Sequence, residues 1–407
     1  MCWLFSLVGV FSAIPTVRAQ SNSNATKPYA TLDHSAVAYR GPARAAEREL
    51  PEGVAIIGMI LPLKGPQESE GKAVLEAAHL ALEEEQFLGP LPDGRRLTLV
   101  ARNESGQWGQ ASTEIFKLIE QDHALVMLTS ANGAVTHLAE QIANKISIPI
   151  LTFSSDPTTT QTNVPWLFRL GPNDTDQARA FCQRIYSELG LRKVMLIVQM
   201  DHDGRIGGAE FEKAARGLHL TSPLRLELTD STINPEAIQE MIQAKDPEAI
   251  VIWTDSPSAD KLLPLLQETR PSTPVFLCRK AAQLRRRGTR AEFTSGSNGE
   301  TQNSGELFTV DSSYEKHVTA ESKFEQLYLA RTGTRPGLVA HQAYEAVHLM
   351  ATALRSTGAN RILLRDSFAN EGKPSATKSM PFDAAGNDMQ EFAIVRLHSP
   401  AKAFPGQ

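Results

Sequence analysis

Residues 124–157 read ALVMLTSANGAVTHLAEQIANKISIPILTFSSDP. This stretch divides into strand, tight turn, helix and strand. Ala124–Leu128 is a short apolar run of the kind that makes a buried parallel strand. Thr129, Ser130, Asn132 and Gly133 supply turn and N-cap chemistry. Val135, Leu138, Ile142 and Ile146 recur at helical spacing, and Ile148–Phe153 is a second buried strand that ends in Ser154, Ser155 and Asp156. In an open parallel sheet, ligands bind beyond the carboxyl ends of the strands. The spacing therefore sets two polar turns, Ser130–Gly133 and Thr152–Asp156, side by side at one rim. Both offer hydroxyls and free backbone N–H groups, and the first opens a helix whose N-terminus favours anions. Two ordinary βα turns capped by Ser and Asn describe the stretch equally well, so the flanking chain has to decide.

The alternation continues on both sides. Upstream, Val54–Leu61 reads as a strand and Gly71–Glu85 as a helix, with Val74, Leu75, Ala78 and Leu82 on one face. Strand Leu97–Arg102 and helix Gln110–Gln121 follow. After a link at Trp166–Pro172 the pattern restarts with helix Asp174–Leu189, strand Lys193–Val198, helix Gly207–Gly217 and strand Pro223–Leu228. Helix Pro235–Ala244, strand Ala249–Thr254, helix Ala259–Glu268 and strand Pro274–Leu277 complete it. Two runs of βα units this long predict an α/β protein of two doubly wound, Rossmann-like lobes. Residues 281–304 break the rhythm with Arg285-Arg286-Arg287 and then Ser, Gly and Asn; no aromatic framework accompanies them, so a solvated loop is expected. Ser322–Arg331, Gly337–Thr357 and Asn360–Ala369 read as helices. Met380–Asp383 and Phe392–Leu397 read as a terminal hairpin about Gly386-Asn387.

Composition narrows the function. With 41% hydrophobic and 21% charged residues, the 407-residue chain is an ordinary globular protein, and a net charge of −5 provides no basic footprint for nucleic acid. Three cysteines make neither a disulfide framework nor a CxxC site. Cys182 and Cys278 read as small buried side chains. Cys2–Pro15 is apolar but too short to span a bilayer, and Val17-Arg18-Ala19 has the small-residue pattern of a signal-peptidase site. Residues 1–19 are thus expected to be a signal peptide and 20–52 a disordered tether, leaving a periplasmic or secreted chain with no membrane insertion. There is no Walker loop, no GxGxxG after the first strand, no HExxH and no GxSxG. His79, His123 and His137 are scattered on helices or their edges. Neither catalysis, nor a cofactor, nor a metal site is expected.

Five segments in order carry a resemblance to the type I periplasmic binding proteins, in particular the branched-chain amino acid (leucine-binding-protein) branch that serves ABC importers. Ile57–Pro66 (IGMILPLKGP) is similar to the family's opening strand and loop, and Trp166–Asp174 (WLFRLGPND) to its crossover. Ala340–Leu354 resembles the Ala-Tyr-Asp-Ala helix, with Glu345 in place of Asp, and Phe382–Asn387 (FDAAGN) the Phe-Asp-x-x-Gly turn. Gly71 opens the first helix as in the family. The resemblance covers Val54 to Leu397. It implies two lobes joined by a three-strand hinge: 53–169 with 312–369, and 170–311 with 370–407. It also implies a small-molecule ligand and, as partner, an ABC permease or a sensor or regulatory envelope protein.

The same resemblance implies a ligand site. One family Ser position falls on Gly133, leaving backbone N–H and the adjacent Asn132 to serve. Ser154, Ser155 and Asp156 fall on the second turn, with Asp156 where a neutral hydroxyl is usual. Glu70 falls where some members place an aromatic residue. In the second lobe, Asp255 takes the strand-end aromatic position and Lys280 that of the acid that holds the ligand ammonium. A solvated Lys280 and an Asp255 that merely caps the next helix are the alternative reading. Trp108 and Ile206-Gly207 are weaker candidates on neighbouring rim loops.

Overall fold

A computed structural model describes residues 52–105, 109–162, 164–229, 234–286, 306–311, 322–369, 382–383 and 385–397. The leader, the tether as far as residue 51, Trp108 and residues 287–305 of the basic loop lie outside the described residues. Two sheets organise the chain. The first holds β1 (Val54–Leu61), β2 (Arg96–Asn103), β3 (Val126–Thr129), β4 (Ile150–Thr152) and β5 (Leu167–Arg169) in the order β2-β1-β3-β4-β5, all parallel. The second holds β6 (Val194–Gln199), β7 (Leu224–Leu228), β8 (Ala249–Trp253), β9 (Val275–Leu277), β10 (Leu307–Asp311) and β11 (Ala393–Arg396), in the order β11-β10-β9-β8-β6-β7. Among the described strands, only β11 runs antiparallel to its neighbour.

Helices cover both faces of the first sheet. Val126 and Leu128 turn to one face, where α1 (Glu68–Phe87), α10 (Lys323–Thr332), α11 (Leu338–Thr357) and α12 (Arg361–Ala369) close an apolar core. Met127, between them, turns to the other face beneath α2 (Gln110–Glu120) and α3 (Gly133–Ile146). That period of two explains why every β3 residue is apolar or buried. The late helices α10–α12 thus return to the first sheet. The second core gathers α5 (Asp174–Cys182), which continues as a π-helical turn at Gln183–Glu188, with α6 (His202–Gly217), α7 (Pro235–Lys245) and α8 (Ser256–Thr269). Short helices α4 (Thr158–Gln161) and α9 (Arg279–Ala282) follow β4 and β9.

Three expectations change. The link at Trp166–Pro172 contains β5, whose residues pair with β4. Leu307–Asp311, not anticipated as a strand, is β10. The terminal hairpin does not form as expected: Phe382 and Asp388 make a single antiparallel bridge, whereas β11 leaves them to pair with β10. The sheets are joined at Arg169, whose N–H donates to Gly386 O at 2.7 Å and whose carbonyl accepts from Asp388 N–H at 3.2 Å. Gly386 has φ +80, and a Cβ there would strike the Leu167 carbonyl, so only glycine fits this turn. The passage between β10 and α10 falls in 312–321, outside the described residues.

Candidate functional site

Strand order places the site. In the first sheet the order reverses between β1 and β3, and in the second between β6 and β8. The crevices beyond these switch points receive the loops after each of the four strands. Those loops and the first turns of the helices that follow them carry Gln67 and Glu70, Ser130 to Gly133, Asp201 to Asp203, and Thr254 to Ser256.

On the first lobe, Asn132 caps α3 by accepting the Val135 N–H at 3.2 Å. Ser130 Oγ accepts from Asn132 N–H at 3.1 Å and donates to Glu104 Oε1 at 2.9 Å. Gly133 N–H points across the cleft and donates to Asp203 Oδ1 of the second lobe at 3.0 Å. The other oxygen of that carboxylate pairs with Lys280 Nζ, and Asp201 Oδ2 lies 3.8 Å from the same nitrogen. A Cβ at residue 133 would run into Asp203 Oδ1. The glycine at 133 is therefore what admits Asp203 to the helix N-terminus.

Lys280 is buried, not solvated, at 8% exposure. Burial opposes its charge, but Asp203 and Asp201 hold its pKa above the ordinary lysine value. Asp255 does cap α8, accepting from Ser258 N–H at 2.9 Å, and it also reaches the first lobe by accepting from Gln67 Nε2 at 3.1 Å. Burial would raise its pKa, but hydrogen bonds from Ser258 and Gln199 together with the nearby Lys280 charge hold it below the usual range. Burial pushes Glu70 up to about 8, with Lys280 opposing, and pushes Glu104 up to about 7 against the pull of Ser130 and Lys280. Among the described residues, Glu70 Oε1 and Glu104 Oε2 have no hydrogen-bond partner. Glu70, Glu104, Asp201, Asp203 and Asp255 all act on a single ammonium, so the interior of the cleft is acid-rich.

The second turn is engaged differently. Ser154 is fully buried, and its Oγ accepts from Asp156 N–H at 3.3 Å. Ser155 turns toward Asp174, its hydroxyl bonding a carboxyl that burial pushes up to about 8. Asp156 is 1% exposed and receives Thr158 N–H and Oγ1 on one oxygen, at 2.8 and 2.7 Å. Its other oxygen faces His137 Nε2 at 3.2 Å and His202 Nε2 at 2.8 Å. Burial works against this charge, but the His137, Thr158 and His202 contacts hold Asp156 well below the usual carboxylate range. His137 also has Glu140 Oε2 3.0 Å from its Nδ1, and the two carboxylates push its pKa up to about 9. Ile206 is half-buried one turn into α6; the residues of that helix that reach the cleft are His202 and Asp203, with Asp201 as its cap.

Glu70, Asn132, Gly133, Asp156, Asp255 and Lys280 thus line or flank one cleft, and Ser154 and Ser155 support it from behind. Sequence reasoning missed Glu104, Asp201, His202 and Asp203. The available signal was Asp201-His202-Asp203-Gly204 directly after a buried strand, an N-cap pattern at a switch point.

Two Rossmann-like lobes facing each other across a polar cleft define a clamshell binding protein. The periplasmic binding protein family matches residues 56–394, and the chain belongs to it, in its type I branch. Among solved structures, the branched-chain amino acid transporter substrate-binding protein LivJ of Streptococcus pneumoniae, in complex with isoleucine, is 19% identical. It superposes with a TM-score of 0.68 over 84% of this chain and 95% of that one. A solute-binding protein of an ABC transporter from R. palustris, in complex with benzoate, is 18% identical with a TM-score of 0.69 over 84% and 92%. A leucine-binding protein from Thermotoga maritima is 17% identical with a TM-score of 0.67 over 85% and 98%. A stretch of 149 residues is 28% identical to glutamate receptor 2.9 of Arabidopsis thaliana; it is 36% of this chain but spans only 15% of the receptor. Among the described residues, no helix is long and apolar enough to cross a membrane.

Proposed function

We propose that the protein is an extracytoplasmic solute-binding protein that closes its lobes, 53–169 with 312–369 and 170–311 with 370–407, on an amino acid, amide or related small polar compound and delivers it to an ABC importer. The observation that supports this reading is the Asp203 carboxylate held between Gly133 N–H at the start of α3 and Lys280. That arrangement is an anion site already formed and occupied by the chain itself. A ligand carboxylate would take the same two partners, with Asn132 beside it. Glu70 and Glu104, each with an oxygen unpartnered among the described residues, would face a cationic or hydrogen-donating end. Isoleucine and benzoate, bound by two of the similar proteins, both carry a carboxylate.

A second reading is an envelope regulatory or sensing protein that uses the lobes without transport. It is favoured by Asp203 and His202, which satisfy the cleft from within. A thermal-shift panel on the mature chain separates the two. Branched-chain, basic, acidic and amide-bearing amino acids and aromatic acids would be compared. A ligand at about 100 times its dissociation constant stabilises by about 2.7 kcal/mol. For a chain of this size that is a rise of roughly a few degrees. The transport reading expects one chemical class to give that rise, and to lose it in Lys280→Ala. No response from any class would favour the regulatory reading, and a leucine response that survives both Lys280→Ala and Asp255→Ala would place the ligand elsewhere.

A further inference from the structure

His137, Asp156 and His202 come together at the mouth of the cleft, although 19 and 46 residues separate Asp156 from the two histidines in sequence. No spacing motif brings them together in the sequence, from which no metal site is expected. We propose that these three side chains form an interlobe site for a zinc-class divalent ion.

The geometry carries the proposal. Each residue offers one ligand atom, and the three atoms lie within 4.8 Å of one another. Both histidines aim Nε2 at the same carboxylate oxygen, at 3.2 and 2.8 Å, with their rings nearly perpendicular at 84°. Zinc binds imidazole nitrogen and carboxylate oxygen at about 2.0–2.2 Å, so tetrahedral ligands lie about 3.4 Å apart. The two nitrogen–oxygen contacts would open by roughly 0.2 and 0.6 Å to reach that spacing.

The surroundings also fit. Glu140 Oε2 lies 3.0 Å from His137 Nδ1, the arrangement that fixes an imidazole's orientation and leaves Nε2 for the metal. Thr158 anchors one Asp156 oxygen and leaves the other for coordination; its Oγ1 also lies 2.9 Å from His137 Nε2, a contact that the ion would displace. The two histidine side chains are 26% and 36% exposed, so a fourth position opens to water or a ligand. Two imidazoles and one carboxylate suit Zn2+, Ni2+ or Cu2+ better than Mg2+ or Ca2+, which prefer oxygen.

The site has a mechanical consequence. His137 lies on α3 and Asp156 follows β4 in the first lobe, whereas His202 opens α6 in the second. An ion that needs all three binds only when the lobes approach, so it shifts the population toward the closed form. This holds under either functional reading, and its test is independent of any organic ligand.

The probe is Zn2+ alone, titrated into the mature chain against a chromogenic chelator. One ion per chain is expected, with solution scattering showing compaction on addition. His202→Ala should weaken binding by more than about 10-fold and abolish the compaction, and Glu140→Gln should weaken it by about 10-fold. His79→Ala should change neither. If His202→Ala does not fold, as circular dichroism would show, histidine NMR of the wild type decides the matter. The His137 and His202 ring resonances should shift with Zn2+ and the other rings should stay in place. Absence of Zn2+ binding by the wild type at millimolar concentration overturns the proposal, as does wild-type affinity in folded His137→Ala and His202→Ala. Ring shifts confined to other histidines do so as well.

Discussion

Glu104 shows what a single buried carboxyl does to the energetics of the cleft. An unfolded glutamate releases its proton near 4.5, whereas burial holds this one to about 7. Between those values the folded chain binds one more proton than the unfolded chain, so this contribution to stability falls as pH rises through that window and levels off above it. Below 4.5 both states are protonated and the effect vanishes. Glu104→Gln cannot ionise, yet its amide oxygen can still accept from Ser130 Oγ. We therefore expect the variant to be more stable than wild type by roughly 1–3 kcal/mol at pH 8 and nearly equal at pH 4.5. Urea denaturation at the two pH values measures this; a constant difference would show that Glu104 titrates normally. At this scale the sequence was only partly legible. Gly133, Asp156 and Lys280 could be singled out from their places beside recognisable turns. Their partners Asp203, His202 and Glu104 come from remote segments, and no local pattern tells which of many polar residues will meet across a cleft.

Elements were more legible, and their errors share one cause. Apolar periodicity marks the parts of a helix that pack on a sheet. The sequence reading begins three helices at Gly71, Gly207 and Ala259, but they start at Glu68, His202 and Ser256. The missed first turns are polar because they face the cleft, so the residues that make the site are the ones periodicity passes over. β10 escaped for another reason: five residues beside a long irregular stretch have too little pattern to stand out. Element packing also yields a test. α6 approaches its sheet through Gly207 and Gly208; a Cβ at Gly207 would fall inside the Trp253 indole, and Trp253 packs between Phe181 and Phe211 at ring separations of 5.9 and 6.3 Å. Gly207→Ala should therefore destabilise the chain by about 1–3 kcal/mol through overpacking. Gly217→Ala, at the end of the same helix with open space around it, should be neutral or stabilising by up to about 1 kcal/mol. Calorimetric melts of both variants decide; equal melting temperatures would mean that α6 can slide to make room.

For the whole molecule, the contacts between lobes are contacts of the chain with itself. Gly133 with Asp203, Gln67 with Asp255, and Asp156 with His202 all bridge the cleft. Such contacts favour the closed form without fixing it, so a ligand binds only from the fraction of molecules whose site is free, and its apparent affinity falls by that fraction. Asp203→Asn weakens the internal competitor at Gly133 while leaving Lys280 near Asp201. Gly133→Ala acts from the other side, since its added Cβ would meet Asp203 and wedge the lobes apart. Both variants should have a larger radius of gyration than wild type in solution scattering without ligand. They should diverge in binding: for a carboxylate ligand found in the panel, Asp203→Asn should raise affinity by about 10-fold, because the population already competent to bind increases. Gly133→Ala should not, because the methyl group crowds the N–H that the ligand needs. If Asp203→Asn instead loses as much affinity as Lys280→Ala, Asp203 contacts the ligand directly and is no competitor. The chain's preference would then be for a ligand with a cationic group at that point, set among Asp201, Asp203, Glu70 and Glu104.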